Sequence, residues 1–269
     1  MAIIKGAIQM TGSISGVSFY TRRGSDKVIM RTKGGVSKEK MAKGPQYESL
    51  RRNQKEWGGC TKFGSMARYA FGGLHRLADY NLNSVLNGMG KNLMKLDTAS
   101  ELGKRRLQLS LHKQALEGFN FNKNYPFNSV LRVGITCEVN REALQAKVTV
   151  PRINTATDIQ NIQRLPYFRL IVVVGTVSDW LFDENEQGYV PANLYLNGVN
   201  EVFTSDWYPS QGLIPEQILT VQMEETEQKA LTDEVSVVVS MGIEFGTVGF
   251  TGQPVEVKWA GSGKVLKVC

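Results

Sequence analysis

The residues Gly261-Ser262-Gly263-Lys264 come closest in this sequence to a phosphate-binding loop. A Walker A loop would also need glycine where Lys258 stands and serine or threonine where Val265 stands, because its amides and hydroxyl hold the phosphates and Mg²⁺. Neither requirement is met, so we predict that these four residues form a hairpin turn leading into a final strand. The sequence therefore predicts no nucleotide cofactor.

An acidic segment resembles part of a calcium-binding loop. Asp183, Asn185 and Gly188 are of suitable types. Gln187 holds the fifth position, however, and Leu194 holds the twelfth, where a bidentate glutamate is required. We predict an acidic surface loop without a built metal site, which could attract a basic partner or weakly held cations. The predicted acidic partner face consists of Asp179, Asp183, Glu184 and Glu186.

The residue types that usually carry out catalysis are sparse. The two histidines, His75 and His112, lie outside any HExxH pattern, and no G-x-S-x-G sequence is present. The three cysteines have no CxxC spacing, so they predict buried thiols and not a disulfide framework or zinc site. We predict no catalytic residue, no cofactor and no metal, and a protein that is not an enzyme. A carboxylate pair brought together by folding stays open, because spacing in sequence does not reveal it.

Charge is distributed unevenly along the chain. Residues 1–125 contain 22 lysines and arginines against 8 aspartates and glutamates, a net charge of +14, whereas residues 126–269 have a net charge of −7. One explanation is a basic surface for nucleic acid or another polyanion. Another is a head-to-tail contact between the basic part of one copy and the acidic part of the next. A third is that exposed helices are rich in lysine without any partner.

Seven basic residues are predicted to contact a polyanion or a partner. They lie on a predicted hairpin and at the entry to the first predicted helix: Arg22, Arg23, Lys27, Arg31, Lys33, Arg51 and Arg52. A nucleic-acid-binding protein would use such residues on phosphates and aromatic residues such as Phe19 or Tyr20 for stacking. No known nucleic-acid-binding motif is matched.

The first 35 residues predict a small sheet. Alternating runs over residues 16–21 and 27–32, separated by turn-forming residues, predict a β-hairpin, and an earlier strand near residues 3–9 could pair with it. Such a small sheet has little core, so it must pack on a neighbouring element or another subunit. We assign residues 1–35 to a basic β-hairpin and N-terminal extension.

Residues 36–122 are predicted to be helical. Apolar residues at intervals of mostly three or seven follow Pro45, which suits a first helical turn. Gly58-Gly59 either permits close helix packing or breaks this helix. A second helical stretch covers residues 74–96, and a third runs from about residue 100 to residue 116. Together they predict a helical hairpin or small bundle.

Residues 123–269 are predicted to form an antiparallel β domain. Turn-forming residues separate the predicted strands, which cover residues 131–138, 143–150, 167–174, 194–203, 217–223, 235–245, 255–258 and 264–268. This number suits an immunoglobulin-like β-sandwich, although the Cys…Trp…Cys spacing of true immunoglobulin domains is absent. The predicted fold class is α+β: an N-terminal β-hairpin plus a helical hairpin or bundle, followed by an antiparallel immunoglobulin-like sandwich.

No run of eighteen or more apolar residues is present, so the sequence predicts no membrane span. The first nine residues are interrupted by Lys5 and Gln9 and do not resemble a signal peptide. We expect a protein that is cytoplasmic as synthesised. A virion-like particle or an extracellular location after release stays open.

Five segments spread over most of the chain carry a resemblance. They are Gly12-Ser13-Ile14-Ser15-Gly16-Val17 with the basic hairpin after it, the helix with Gln54 and Trp57, Leu116-Glu117-Gly118-Phe119-Asn120-Phe121-Asn122, Tyr167-Phe168-Arg169-Leu170 leading to Ser178-Asp179, and Gly261-Ser262-Gly263-Lys264-Val265-Leu266-Lys267-Val268. With these segments the chain resembles a family of uncharacterised proteins common in Bacteroidetes. That family has no known catalytic or ligand-binding residues, so the resemblance implies kinship alone.

Three functions of different classes follow. The first is a structural, self-assembling subunit of a filament, phage-like particle or surface appendage, which forms a homo-oligomer by passing residues 2–34 to the sheet of the next copy. The second is a nucleic-acid-binding protein that uses the basic N-terminal half. The third and more remote is a hydrolase with an unrecognised carboxylate site. No small-molecule ligand is indicated by the sequence.

Overall fold

The computed structural model describes residues 2–4, 11–21, 27–32 and 34–269. Contacts within the chain divide it into two compact units, Met1–Arg51 and Arg52–Cys269, which we call the N-terminal unit and the C-terminal unit. This division differs from the three parts predicted from the sequence, with boundaries at residues 35 and 122. Residues 36–51 of the segment predicted as helical belong to the N-terminal unit, and residues 52–122 share the C-terminal unit with the segment predicted as β.

The N-terminal unit contains a four-stranded antiparallel sheet. Its strands are β1 (Ala2–Ile4), β2 (Gly12–Ile14), β3 (Val17–Thr21) and β4 (Val28–Thr32), in the order β1-β4-β3-β2. Ser15 and Gly16 both have positive φ, at 41° and 82°, and make the tight turn from β2 to β3. The predicted β-hairpin is confirmed as the pair β3 and β4, with Val17 opposite Thr32.

Two helices follow this sheet. Helix α1 (Lys38–Lys43) begins after Ser37, whose side chain accepts a hydrogen bond from the Lys40 N–H and so caps the helix. A 3₁₀ turn at Pro45–Tyr47 leads into α2 (Glu48–Ala70), which has 23 residues and passes the boundary between the units.

The helical part of the C-terminal unit consists of the rest of α2, a 3₁₀ segment at Gly72–Leu77, and α3 (Leu82–Leu96). The Asn81 side chain caps α3 by accepting a hydrogen bond from the Asn83 N–H. Cys60 and Phe63 of α2 and Leu86 of α3 are fully buried in the same core cluster. None of the helices in the described part of the chain is both long and apolar enough to cross a bilayer.

The prediction of a third helix over residues 100–116 is wrong. Leu107 pairs with Trp180 in an isolated antiparallel bridge, and only Lys113–Ala115 forms a 3₁₀ turn. Leu107 and Leu109 are both buried, so alternate residues enter the core as they do in an extended chain. Gly103 also has a φ of +99°, which a helix cannot contain.

The adjacent glycines of α2 have opposite environments. A Cβ on Gly58 would meet no atom within 4 Å, whereas a Cβ on Gly59 would lie 2.6 Å from Tyr189 Cγ and 2.8 Å from Met94 Cε. Gly59 therefore permits close packing, and α2 continues unbroken through both residues.

Alanine at these two positions should therefore change stability in opposite directions. We expect Gly58→Ala to stabilise the protein by about 0.5–1 kcal/mol, because alanine favours the helix. We expect Gly59→Ala to destabilise it by about 1–3 kcal/mol, because the added methyl group overpacks the core. Urea unfolding of the two variants beside the wild type checks both values. Equal midpoints for the two variants would contradict the assignment.

The remaining elements are short helices and antiparallel strands of the C-terminal unit. They are α4 (Phe127–Val130), β5 (Thr136–Asn140), β6 (Gln145–Val150), β7 (Ile153–Asn154), α5 (Thr155–Asp158), β8 (Tyr167–Ser178), β9 (Trp180–Asp183), β10 (Gly188–Pro191), β11 (Asn200–Thr204), β12 (Tyr208–Pro209), β13 (Leu213–Ile214), β14 (Gln217–Gln222), α6 (Glu225–Lys229), β15 (Val235–Val248) and β16 (Pro254–Val268). Helices and antiparallel sheets together confirm the predicted α+β class.

Two sheets face each other in this unit. The central sheet has the order β11-β8-β15-β16, with β12 also paired to β8, and the small sheet has the order β14-β6-β5. Along β8, Ile171 and Val173 belong to the core cluster shared with the helices, whereas Val172 and Val174 belong to the cluster shared with the small sheet. The central sheet is therefore buried on both faces, between a helical layer and the small sheet.

The hairpin turn predicted at residues 261–264 is wrong. These residues lie inside β16 and pair with β15, where Gly263 stands opposite Gly242. A Cβ on Gly263 would lie 2.6 Å from the Phe121 ring, and a Cβ on Gly242 would lie 2.5 Å from Leu74 Cδ2. The two glycines thus permit Phe121 and Leu74 to approach the sheet closely, so neither a turn nor a bound phosphate is needed to explain them.

Candidate functional site

The net positive charge of the chain belongs to the N-terminal unit. Residues 1–51 contain ten lysines and arginines against three aspartates and glutamates, a net charge of +7, and residues 52–269 contain 22 of each kind. The whole chain also has a net charge of +7. The C-terminal unit is therefore neutral overall, because the net charge of +7 of residues 52–125 balances the −7 of residues 126–269.

Few of the described side chains of the N-terminal unit are buried. Among its described side chains in residues 11–21, 27–32 and 34–51, only Val28 and Ile29 are buried. Phe19 and Met30 face each other across β3 and β4 and are only half-buried. A sheet of this size needs a larger apolar cover to be stable in water.

Four of the seven predicted basic contact residues lie in the described part of the chain. Arg22, Arg23 and Lys33 lie outside the described residues. Lys27 and Arg31 are exposed, and the Arg31 guanidinium lies 5.6 Å from the centre of the Tyr20 ring, a cation–π contact.

The two remaining arginines have contacts within the protein. Arg51 donates hydrogen bonds of 2.8 Å to the carbonyl oxygens of Met41 and Gly44, and so satisfies orphan groups at the end of α1. Arg52 is half-buried, and its Cβ and Cγ atoms lie against Gly103. Arg51 in particular has a structural role that its sequence position did not reveal.

Three of the four residues predicted as an acidic partner face lie on the turn between β9 and β10. The Asp183 carboxylate accepts hydrogen bonds from the N–H groups of Asn185 and Glu186, at 2.6 and 3.0 Å, and so orders the turn. Glu184 forms an ion pair with Lys104, and Glu186 is exposed. The turn is thus partly neutralised by a lysine of its own unit.

Asp179 does not belong to this surface. It is 1 % exposed, and its carboxylate accepts hydrogen bonds from the N–H and hydroxyl of Ser110, at 3.0 and 2.5 Å. Burial raises the pKa of Asp179, and the bonds from Ser110 offset only part of that effect. The residue ties the 107–112 segment to the end of β8, so the prediction that it faces a partner is wrong.

A buried ionic cluster centred on Glu56 joins α2, α3 and the loop after α3. Glu56 is fully buried, and its carboxylate accepts bonds from Arg105 Nε and Nη2 at 2.8 and 2.6 Å and from the Gly103 N–H at 2.8 Å. Lys91 forms a further ion pair with it. Burial raises the pKa of Glu56, but these hydrogen bonds outweigh it and lower the pKa to about 2. The cluster is structural, because no solvent reaches the carboxylate.

A second ionic cluster lies on the central sheet. Glu244 is 2 % exposed and accepts bonds from Arg76 Nη2 at 2.8 Å and Arg169 Nε at 2.7 Å. Glu256 bridges the same two arginines, at 3.2 and 3.0 Å. The Arg169 guanidinium also lies 4.5 Å from the centre of the Trp207 ring. The cluster contains two positive and two negative charges and is therefore neutral overall.

Sequence reasoning missed both clusters, although one signal was present. Glu244 interrupts the otherwise apolar run of β15, and a carboxylate there must find partners.

No group of three or more histidine, cysteine or acidic residues that could hold a metal occurs among the described residues. Cys60 is buried, Cys137 and Cys269 are half-buried, and none is in a disulfide. Burial raises the pKa of Cys60 and Cys137 to about 11, so both are unreactive thiols at neutral pH.

Comparison with known proteins gives no relative from which a function could be transferred. No protein family, curated protein or solved structure matches the chain significantly. The resemblance to the Bacteroidetes family stays a prediction.

Proposed function

We propose that this chain is a structural, self-assembling subunit whose N-terminal unit contacts a neighbouring copy. The observation that carries this proposal is the poor core of that unit, in which only two described side chains are buried. Half-buried Phe19 and Met30 would be covered by the neighbour. Burial of apolar surface against the neighbour would be the main source of stability for such a contact, at about 25 cal/mol for each Å² of apolar area buried.

Main-chain pairing at an open strand edge is the proposed mechanism. Strand β11 is an edge of the central sheet, and within the described residues it pairs with β8 alone. Val202 and Phe203 on it are 39 % and 37 % exposed. A strand from residues 2–34 of another copy would satisfy the unpaired N–H and C=O groups of this edge and cover both side chains.

We also propose that residues 123–269 form an immunoglobulin-like sandwich. The strand orders β14-β6-β5 and β11-β8-β15-β16 support it, because they correspond to strands E-B-A and C′-C-F-G of that architecture. Such sandwiches have short edges at which strand addition is a known mode of association. In this protein the helical layer covers the outer face of the C′-C-F-G sheet, which leaves the edges as the accessible part of that sheet.

Deleting residues 2–34 tests the proposal. We expect the full chain to elute as large species and the truncated chain as a monomer, because the exchanged strand is gone. Size-exclusion chromatography with light scattering, at low and high salt, measures both. The double variant Val202→Arg/Phe203→Arg should also be monomeric. Leu194→Arg is the control, because Leu194 is 81 % exposed and lies outside β11, and this variant should assemble normally. Assembly of the truncated chain would contradict the proposal.

Nucleic-acid binding is the second candidate. The net charge of +7 within 51 residues and the Arg31–Tyr20 contact favour it, because phosphates and bases are recognised by basic and aromatic side chains. The same chromatography detects bound nucleic acid, because the ratio of absorbance at the nucleic-acid maximum to absorbance at the protein maximum rises when nucleic acid co-elutes. Co-eluting nucleic acid that dissociates steeply with salt would favour this function over self-assembly. Three further statements stay predictions from the sequence: the remote alternative of a hydrolase, the absence of enzymatic activity, and the cytoplasmic location as synthesised.

A further inference from the structure

A small pocket of about 190 Å³ opens beside the bulged part of β16 in the C-terminal unit. Tyr125 and Trp259, which line it, are 44 % and 66 % exposed and present aromatic surface to solvent. Asn124, Gln160 and Gln163 add primary amides to the same lining. Its volume is below the roughly 300–1,000 Å³ of pockets for drug-sized ligands, so its occupant has about the size of one ring.

The wall that bears Asn124 and Tyr125 is held rigidly. The two carboxylate oxygens of Asp79 accept hydrogen bonds from the N–H groups of Lys123 and Asn124, at 2.9 and 2.8 Å. The Tyr125 carbonyl accepts a bond of 2.8 Å from the Ser262 hydroxyl. A ligand would therefore meet preorganised groups and would not have to order this segment first.

The amides retain hydrogen-bonding capacity. The side chains of Asn124 and Gln163 form no hydrogen bond within the described residues, and Gln160 uses only its oxygen, which accepts a bond of 3.1 Å from Arg132. Each unused amide offers both donors and an acceptor. Asp79 is the sole charged residue of the lining, and each of its oxygens already accepts one backbone hydrogen bond.

Trp259 is displayed by a strained backbone. Between the pairs Glu244–Gly261 and Gly246–Glu256, one residue of β15 faces four residues of β16, so the strand bulges. Within this bulge Trp259 has a φ of +61°, a conformation that is costly for a bulky side chain. Strain that exposes a large aromatic ring beside a pocket suggests that the ring has a use.

We infer that this pocket binds a single neutral sugar ring. The C–H face of a pyranose is apolar and packs on the aromatic surface of Trp259 or Tyr125, whereas its hydroxyls both donate and accept, as the amides of Asn124 and Gln163 do. A metal cation is disfavoured because the lining offers a single carboxylate, which already accepts two backbone hydrogen bonds. An anion is disfavoured because the cations beside the lining contact protein groups: Lys258 Nζ lies 4.5 Å from the centre of the Trp259 ring, and Arg132 donates to Gln160. The inference does not depend on self-assembly, since every residue of the pocket lies in the C-terminal unit.

Titration of the ¹⁵N-labelled full-length variant Val202→Arg/Phe203→Arg, which is expected to be monomeric and whose changes lie outside the pocket, with methyl glycosides of glucose, galactose, mannose and N-acetylglucosamine tests the site. The four tryptophans each provide an indole N–H signal. We expect at least one glycoside to shift the Trp259 signal with a dissociation constant on the order of 1 mM, as suits a shallow pocket. Trp259→Ala, followed by the backbone N–H signals of Asn124 and Tyr125 because its indole signal is absent, should weaken binding about tenfold, as should the double variant Asn124→Ala/Gln163→Ala, in which the ring is intact.

Trp57→Ala is the matched control, because Trp57 lies on α2 outside the pocket and is 47 % exposed. This variant should bind as the wild type does, and the melting temperatures of all variants show whether they fold. Binding by none of the glycosides, or binding that both pocket variants leave unchanged, would overturn the inference. A stronger response to a nucleoside such as adenosine than to any glycoside would overturn it too.

Discussion

Replacing Glu56 with alanine is expected to lower the free energy of unfolding by about 3–5 kcal/mol. The variant leaves Lys91 and Arg105, which are 19 % and 17 % exposed, without the carboxylate that neutralises them. Removing one partner of a buried ion pair costs that much because the remaining charge stays buried and unpaired. The Gly103 N–H also loses its acceptor. Urea unfolding at pH 7 measures the difference.

Glu117→Gln is the matched control, because Glu117 is exposed, and it should change stability by less than about 0.5 kcal/mol. The pKa of Glu56 falls from 4.5 in the unfolded chain to about 2 in the folded protein. The carboxylate therefore contributes its stability fully above pH 4.5 and loses it as the pH falls towards 2. Between pH 4.5 and about 2, the free energy of unfolding of the wild type should therefore fall by about 3 kcal/mol more than that of Glu56→Ala. Parallel pH profiles for the two proteins would contradict this role.

Replacing Gly175 with alanine is expected to destabilise the protein by about 3 kcal/mol or more. Gly175 lies in the middle of β8, where a Cβ would stand 2.0 Å from the carbonyl oxygen of Ala70 and 2.8 Å from its Cα. Both atoms belong to the backbone at the end of α2, so no side-chain rotation relieves the clash. The helical layer must move away from the central sheet, which exposes apolar surface on both.

Gly134→Ala provides the control for this prediction. A Cβ on Gly134 would meet no atom within 4 Å, and its φ is not positive, so the change should be within about 0.5 kcal/mol of neutral. Thermal unfolding followed by circular dichroism compares the two variants, and Gly175→Ala should melt several degrees lower. An unchanged melting temperature for Gly175→Ala would show that the helices do not pack on β8 as described.

Much of the local structure could be predicted from the sequence, because local patterns determine it. The hairpin of β3 and β4 follows from alternation on both sides of a turn, and β8 and β15 follow from long apolar runs. The predicted helix at 100–116 failed because a tertiary contact that is not visible in the local sequence holds Leu107 in an extended bridge with Trp180. The glycines of β16 were read as a turn because their close contact with Phe121 is not visible in the sequence.

The candidate pocket could not have been predicted from spacing. Asp79, Asn124, Gln163 and Trp259 come from four separate segments, which only the fold brings together. Charge counts did indicate a basic N-terminal region, but they did not separate exposed Arg31 from Arg51, which binds carbonyl groups at the end of α1. A carboxylate within an apolar strand, as at Glu244, was the most informative local signal that the sequence contained.

The double burial of the central sheet has a consequence for biosynthesis. Strands β8 and β15 are long apolar segments whose two faces both need cover, and such segments aggregate when they are exposed. The helical layer that covers one face precedes both strands in the chain, so it leaves the ribosome first and is available when they emerge. The order of elements thus protects the nascent chain from self-association until β15 and β16 complete the sheet.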